Sequence, residues 1–113
     1  MGVRENKVET YYKDQIKQLG GITRKWVSPG RDGVPDQITC INGVVFVVEV
    51  KTTDGRRSSA QKREHDRLRE VGMNVSTVYG HNGIDGLIRD VREYGFPMEK
   101  LYRGKFLDIT FLL

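Results

Sequence analysis

The 113-residue chain contains one cysteine, three prolines and no apolar run long enough to cross a bilayer. A lone cysteine cannot form an internal disulfide, which excludes the disulfide-stabilised secreted scaffolds, and we expect Cys40 to be a small buried core residue. The lack of a long apolar run argues against a membrane span, and residues 1–7 lack the apolar centre of a signal peptide. Together these absences predict a reducing, cytoplasmic setting.

The charge of the chain is mildly basic, with a formal net charge of +4 and a pI of about 9.3. Such a balance permits nucleic-acid binding without requiring it. The distribution says more than the total, because residues 51–70 carry seven Lys or Arg against four Asp or Glu. We therefore expect any nucleic-acid contact to involve this part of the chain.

Residues 34–51 are predicted to form a β-hairpin around which the rest of the chain is organised. Asn42-Gly43 is the favoured pair for a type I′ turn, because both central residues need positive φ. The following stretch, Val44 to Val50, is rich in β-branched residues and interrupted only by Glu49. Such a run is typical of a central strand that is buried on both faces.

The hairpin brings two carboxylates and a lysine together. Glu49 and Lys51 are two residues apart on one strand, so their side chains point to the same face. A turn centred on residues 42 and 43 places Asp36 opposite Glu49. Two such carboxylates would repel, whereas a divalent cation would stabilise both, and oxygen ligands suit Mg²⁺ or Mn²⁺. The alternative is a surface salt bridge between Glu49 and Lys51 on a frayed strand end.

Residues before the hairpin predict a helix over 5–19, a strand over 22–27 with Trp26 in the core, and a loop over 28–33. Glu9, beside the apolar stripe of the helix, is either a solvated charge paired with Lys13 or a third carboxylate of the site. Lys25 is either an exposed strand residue or a phosphate contact, and Arg31 in the loop either clamps a phosphate or is solvated. The loop glycines would let the backbone approach a phosphate closely.

Residues after the hairpin predict a helix over 58–71, in which Ser58 and Gln61 fit a capping box. His65 on this helix is interpreted as a surface or packing residue. A strand over 75–79 follows, and its position after a helix predicts parallel pairing through a right-handed crossover. A third helix is expected to open at Asn82-Gly83 and end at Gly95. The strand-like segment 106–113 is expected to pack on the sheet edge or on a second subunit.

With these residues in place, the chain resembles the VRR-Nuc (virus-type replication-repair nuclease) family of the PD-(D/E)XK nuclease superfamily. The matching motifs occur in order between Glu5 and about Gly95 and cover most of the chain. They are Val8-Glu9, Gly20-Gly21, Lys25 to Gly30, Gly33-Val34-Pro35-Asp36, Glu49-Val50-Lys51 and Ser58-x-x-Gln61. Valine at position 50 replaces the leucine of many relatives, which has no consequence if this position contributes its backbone carbonyl.

The resemblance implies an α/β PD-(D/E)XK core, a mixed central sheet flanked by helices, over residues 1–97, with residues 98–113 as an apolar tail on the same domain or on a dimer partner. It implies Asp36, Glu49 and the Val50 carbonyl as ligands of Mg²⁺ or Mn²⁺, and Lys51 as a catalytic lysine. It also implies Gln61 as an active-site residue and Glu9 as an outer or second-metal carboxylate.

The function expected from these features is metal-dependent, structure-selective cleavage of DNA by a homodimer, with the Holliday junction as the expected substrate. Stand-alone members of the family are similar to Holliday junction resolvases. The alternatives are a less selective nuclease acting on flaps, ends or single strands, and a DNA-binding module that does not cut. Contacts to the DNA backbone are expected from Lys25, Ser28, Arg31, Arg56, Arg57, Lys62 and Arg63.

Overall fold

The computed structural model describes residues 3–104 of the chain, with side chains from residue 6 onward. Within this range there are three helices and five strands. The helices are α1 (Val3–Gln18), α2 (Ser59–Glu70) and α3 (Gly80–Tyr94). The strands are β1 (Ile22–Lys25), β2 (Gln37–Ile41), β3 (Val44–Lys51), β4 (Val75–Tyr79) and β5 (Leu101–Tyr102). No helix in this range is both long and apolar enough to cross a membrane.

The five strands form one mixed sheet in the order β1-β2-β3-β4-β5. Strands β1, β2 and β3 pair antiparallel, whereas β4 pairs parallel with both β3 and β5. The parallel pairing of β3 with β4 confirms the βαβ unit predicted from the helix between them. Because β3 and β4 run in the same direction, their carboxyl ends and the loops that follow them lie at one edge of the sheet.

The hydrophobic core lies between one face of the sheet and helices α1 and α3. Strand β3 contributes Phe46 and Val48, and α1 contributes the predicted apolar stripe, of which Tyr12 and Ile16 are fully buried. Helix α3 contributes Ile84, Leu87, Ile88 and Val91. The Tyr12 hydroxyl shares a hydrogen bond of 2.6 Å with Thr39, which satisfies a polar pair inside this core.

The prediction that Cys40 is buried is wrong, because Cys40 is exposed. Side chains of β2 alternate, and Gln37, Thr39 and Ile41 occupy the core face. Cys40 and Ile38 therefore point to the opposite face, which α2 does not cover at this end of the sheet. Trp26 is also not a core residue: β1 ends at Lys25, and Trp26 is only partly buried in the loop that follows.

Two further differences concern the carboxyl-terminal half. Helix α3 begins at Gly80, directly at the end of β4, rather than at Asn82. Gly95 ends it with a φ of 92°, as expected for a left-handed helix stop. Strand β5 had no counterpart among the predicted elements. The predicted strand-like segment 106–113 lies outside the described residues, and the boundary at residue 97 stays a prediction.

Candidate active site

The β2–β3 hairpin has the predicted turn and register. Asn42 and Gly43 have φ values of 51° and 80°, as a type I′ turn requires. Gln37 is paired with Val48, so the next position along, Asp36, falls beside Glu49. Asp36 lies one residue before β2 begins, and its backbone carbonyl accepts a hydrogen bond of 2.9 Å from the Trp26 N–H. The loop that carries Asp36 is therefore tied to the end of β1.

The Asp36 carboxylate faces the backbone of β3. Its two oxygens lie 3.3 Å and 3.4 Å from the Val50 nitrogen and share the N–H of that residue. The same interaction brings Asp36 to the Glu49-Val50-Lys51 segment, which contains the other predicted ligands. The role of the Val50 carbonyl as a metal ligand stays a prediction.

Glu49 is only 4% exposed and is contacted by two side chains. Its Oε2 accepts a hydrogen bond of 3.1 Å from Gln61 Nε2 and lies 3.6 Å from Lys51 Nζ. Its other oxygen, Oε1, is buried without a hydrogen-bond partner among the described residues. A buried carboxylate oxygen with no partner is costly, so this oxygen is available to a ligand.

The electrostatics of the pair reflect this arrangement. Burial, followed by the charges of Glu49 and Glu9, raises the pKa of Asp36 from 3.8 to about 8. Burial also raises the pKa of Glu49, against the lowering effect of Lys51. Two buried carboxyl groups that resist ionisation together are a typical sign of a site that holds a cation.

Gln61 forms the predicted capping box and also contacts Glu49, and its role as an active-site residue stays a prediction. Its Oε1 accepts the Ser58 N–H at 2.8 Å and its own N–H donates to Ser58 Oγ at 3.1 Å, which completes the predicted capping box of α2. Its Nε2 donates to Glu49. The cap therefore orients the amide so that the first turn of α2 places a hydrogen-bond donor on the buried carboxylate.

Gly33 brings the loop before Asp36 against the same turn of α2. It has a φ of +90°, and a Cβ at this position would lie 2.5 Å from the Ala60 carbonyl oxygen. Only glycine fits this approach without displacement of the loop or the helix. The close contact expected for this glycine is therefore with the protein itself, and it fixes Asp36 relative to Gln61.

Glu9 and Lys25 form an ion pair at 3.6 Å, in which the Glu9 side chain is 12% exposed and Lys25 is 48% exposed. The described pairing of Glu9 is thus with Lys25 rather than with Lys13. Glu9 is close enough to Asp36 for its charge to raise the pKa of that carboxyl. Its role as an outer carboxylate stays a prediction.

Arg31 is paired within the protein, and its side chain is also 50% exposed to solvent. Its Nε lies 3.0 Å from Glu64 Oε1, the oxygen that also accepts two hydrogen bonds from Arg67. This contact joins the loop to the middle of α2. Ser28, in the same loop, is partly buried, and its carbonyl accepts the Arg31 N–H at 3.1 Å. Their roles as DNA contacts stay predictions.

The donor set fits a small divalent cation through two carboxylates. Among the described residues, no three His, Cys, Asp or Glu side chains are arranged to hold a metal ion. Asp36 and Glu49 would therefore bind it together with backbone oxygen and water, which is how Mg²⁺ is usually held in proteins. The partnerless Oε1 of Glu49 and the raised pKa of Asp36 both favour such a ligand.

Three of the predicted DNA-contacting residues, Arg56, Arg57 and Lys62, line one open cleft beside this site. Arg63 is exposed on α2 and does not line the cleft. Tyr79 and Arg103 complete its wall and were not predicted from the sequence. Prediction of the two-residue strand β5 would have placed Arg103 next to Tyr79. So short a strand has no alternation of apolar and polar residues from which it could be predicted.

Substitution of Asp36 by asparagine is expected to change how the stability of the metal-free protein depends on pH. Since the folded-state pKa is near 8 and the ordinary value is 3.8, the folded protein holds a proton that the unfolded chain has released. The stabilisation of the folded state that this bound proton provides is complete below pH 3.8 and is lost as the pH rises to about 8. Asp36→Asn should remove the loss and stabilise the protein at pH 8 by about 2 kcal/mol, or about 10 °C in Tm.

The measurement is Tm against pH in chelator for wild type and Asp36→Asn. The difference between the two curves removes the contribution of groups that do not interact with Asp36, such as buried His65, whose pKa is lowered to about 4 by burial and by Arg57, and leaves that of Asp36 with its neighbour Glu49. Parallel curves would show that Asp36 titrates normally in the folded protein.

Comparison with known proteins gives consistent results. No protein-family model matches the chain. The chain is 39% identical over 74 residues to "Putative nuclease p44" of Acyrthosiphon pisum secondary endosymbiont phage 1. The aligned residues make up 65% of this chain and 80% of the phage protein. A solved structure named VRR_NUC domain has a TM-score of 0.72 and 34% identity, over 82% of this chain and 99% of that chain.

Two more distant structures share the fold. A second VRR_NUC domain protein has a TM-score of 0.60 at 19% identity, over 83% of this chain and 89% of that one. The Holliday junction resolvase Hjc of Archaeoglobus fulgidus has a TM-score of 0.51 at 14% identity, over 66% of this chain and 67% of that one. The mixed sheet with flanking helices is thus a PD-(D/E)XK-like fold, and the chain belongs to the VRR-Nuc nuclease family.

Proposed function

We propose that this protein is an endonuclease that hydrolyses DNA phosphodiester bonds with Mg²⁺ or Mn²⁺ and selects branched DNA such as four-way junctions. The observation that supports it best is the convergence of Asp36, Glu49, Lys51 and Gln61, with one oxygen of Glu49 buried and partnerless. A protein that only bound DNA would have no use for two carboxylates beside a phosphate, because like charges repel.

The reaction needs a nucleophile and a way to neutralise charge that builds on the phosphate. Asp36 and Glu49 would hold the cation, which when bound supplies Lewis acidity and lowers the pKa of a coordinated water. Lys51, whose Nζ lies 3.6 Å from Glu49, would as an ammonium orient the attacking water or stabilise the developing charge, and as a neutral amine would accept the proton of that water. Gln61 donates to one oxygen of the Glu49 carboxylate, and the other oxygen, which has no described partner, would be available to the cation.

The selection of branched DNA rests on the kind of contact the surface offers. Arg56, Arg57 and Lys62 line a cleft and suit phosphates, which carry no sequence information. Recognition by shape is therefore favoured over recognition by sequence. A homodimer would place two such sites on one junction and allow symmetric nicks in two strands.

The test is cleavage of a labelled immobile four-way junction, with linear duplex, splayed-arm and single-stranded DNA of the same sequence as comparisons. Each reaction is run with Mg²⁺, with Mn²⁺ and with chelator. A Glu49→Gln protein purified in parallel controls for contaminating nuclease, and Asp14→Asn, an exposed carboxylate on α1, controls for loss of a surface charge.

Paired symmetric nicks in the junction that require metal and are absent with Glu49→Gln are the expected result. Equal cutting of all four substrates would replace junction selection with general nuclease activity. Binding without any cutting at any concentration of either metal would leave a DNA-binding module and contradict the proposal.

A further inference from the structure

An open cleft of about 700 Å³ lies beside the active site, where the chain leaves β3 and β4. One wall is the loop after Lys51, and Tyr79, the last residue of β4, forms another part of the lining. Four cationic side chains line the cleft against one carboxylate, Asp54. The cations are Arg56, Arg57, Lys62 and Arg103.

The sheet register places this cleft next to the catalytic lysine. Lys51 and Tyr79 are paired neighbours on the parallel strands β3 and β4, so their side chains emerge on the same face. Tyr102 is paired with Val78, so Arg103 follows beside Tyr79 on the next strand. Because neighbouring strands are about 4.8 Å apart, the backbone of Arg103 lies roughly 10 Å from the backbone of Lys51, two strands away.

Arg103 is held in place by an aromatic ring. Its guanidinium carbon lies 4.0 Å from the centroid of the Tyr79 ring, which is a cation–π contact. Tyr79 is only 4% exposed, so the ring has no free face on which a base could stack. No described residue forms a hydrogen bond with this guanidinium, which lines the cleft and suits a phosphate better than a nucleobase.

The other cations also lack acidic partners in the described part of the chain. No described carboxylate lies within ion-pair distance of Arg56, Lys62 or Arg103. Arg57 contacts His65 Nδ1 at 3.3 Å, and its buried Nε has no described hydrogen-bond partner. His65 is fully buried and orients Arg57 from behind. Like charges collected in one cleft are unfavourable unless an anion binds there.

We infer that this cleft binds a backbone phosphate of the cleaved DNA strand, adjacent to the phosphate at the active site, and that Arg103 is one of its ligands. The inference rests on the proposed nuclease function. It extends that function by naming the surface that the DNA strand follows beyond the active site. Arg103 would act by binding and positioning the strand, and Tyr79 by orienting the guanidinium. Neither residue touches the bond that breaks.

The test compares Arg103→Ala, Arg103→Lys and wild type for binding a labelled four-way junction in chelator, over a series of salt concentrations. Arg92→Ala is the matched control, because Arg92 is exposed near the far end of α3, about 18 Å along the helix from Gly80. Tm values establish that each variant is folded. Single-turnover cleavage at saturating protein, with Mn²⁺, gives the rate of the chemical step separately from binding.

Arg103→Ala is expected to weaken binding by roughly 5- to 10-fold near 0.1 M salt and to reduce the slope of log K against log salt by about one. Its single-turnover rate at saturating protein should fall by less than its affinity does, because Arg103 contacts the strand away from the bond that breaks. Arg103→Lys should restore the slope, because the charge returns, and Arg92→Ala should match wild type in affinity and slope.

Other outcomes separate the inference from the proposed function. If wild type cuts DNA and Arg103→Ala binds with unchanged affinity and slope, the phosphate site is wrong and the nuclease stands. If binding is unchanged but the single-turnover rate falls, Arg103 belongs to the chemistry and the inference is overturned. If wild type binds without cutting while Arg103→Ala lowers the slope, the cleft binds phosphate and the proposed cleavage is wrong.

Discussion

Asp36→Asn is expected to lower the rate of metal-dependent DNA cleavage by about 10³-fold. The substitution removes one of two carboxylates that converge on the candidate metal site and keeps the shape of the side chain. The asparagine can still accept the Val50 N–H, so the loop should keep its place. The measurement is the single-turnover rate with Mn²⁺, at saturating protein, for wild type and variant.

Two readouts distinguish a lost ligand from a damaged fold. The metal-free variant should be more stable than wild type at pH 8, for the reason given above, so unfolding cannot explain a loss of activity. Mn²⁺ should raise the Tm of wild type and leave that of the variant nearly unchanged, because a ligand stabilises only the state that binds it. A variant that cuts within about 10-fold of the wild-type rate would remove Asp36 from the metal site.

Lys51→Met is expected to lower the single-turnover cleavage rate by about 10²- to 10³-fold while metal binding persists. Methionine keeps most of the side-chain length and removes the ammonium that lies 3.6 Å from Glu49. Because Lys51 lowers the pKa of Glu49, its loss should also shift metal binding toward higher pH. The Mn²⁺-induced rise in Tm, measured at several pH values, follows the metal-binding part of the effect.

Lys51→Arg separates the two roles open to this residue. Arginine keeps the positive charge but does not release its proton at any working pH. Activity close to wild type would indicate that Lys51 acts by charge stabilisation. A loss as large as that of Lys51→Met would favour proton transfer or a geometry that only lysine satisfies. Wild-type rates for both variants would exclude Lys51 from the mechanism.

The core of the site could be predicted because it depends on local rules. The pairing of Asn42 with Gly43 sets the hairpin register, and the register alone puts Asp36 beside Glu49. The capping box likewise follows from the spacing of Ser58 and Gln61. These features need only strand alternation and turn chemistry, which neighbouring residues encode.

The parts that could not be predicted depend on packing between distant segments. Arg31 meets Glu64 because Gly33 lets its loop lie against α2, and no pattern in the loop encodes that contact. Cys40 was assigned to the core by residue type, whereas the buried positions on β2 belong to Gln37, Thr39 and Ile41. Thr39 is buried because Tyr12, 27 residues away, satisfies its hydroxyl. A polar residue with a remote partner can thus occupy a core position next to a residue that its type alone assigns to the core.

Because Cys40 is exposed, the chain can be labelled with a fluorophore to study whether it assembles on DNA. It is the sole thiol of the sequence and can take one fluorophore per chain without mutagenesis. It lies four residues along the hairpin from Asp36, about 13 Å away, so a dye there should leave the candidate active site undisturbed. Energy transfer between donor- and acceptor-labelled chains, added to an uncut junction, would then show whether two protomers share one DNA molecule and measure the separation of their hairpins.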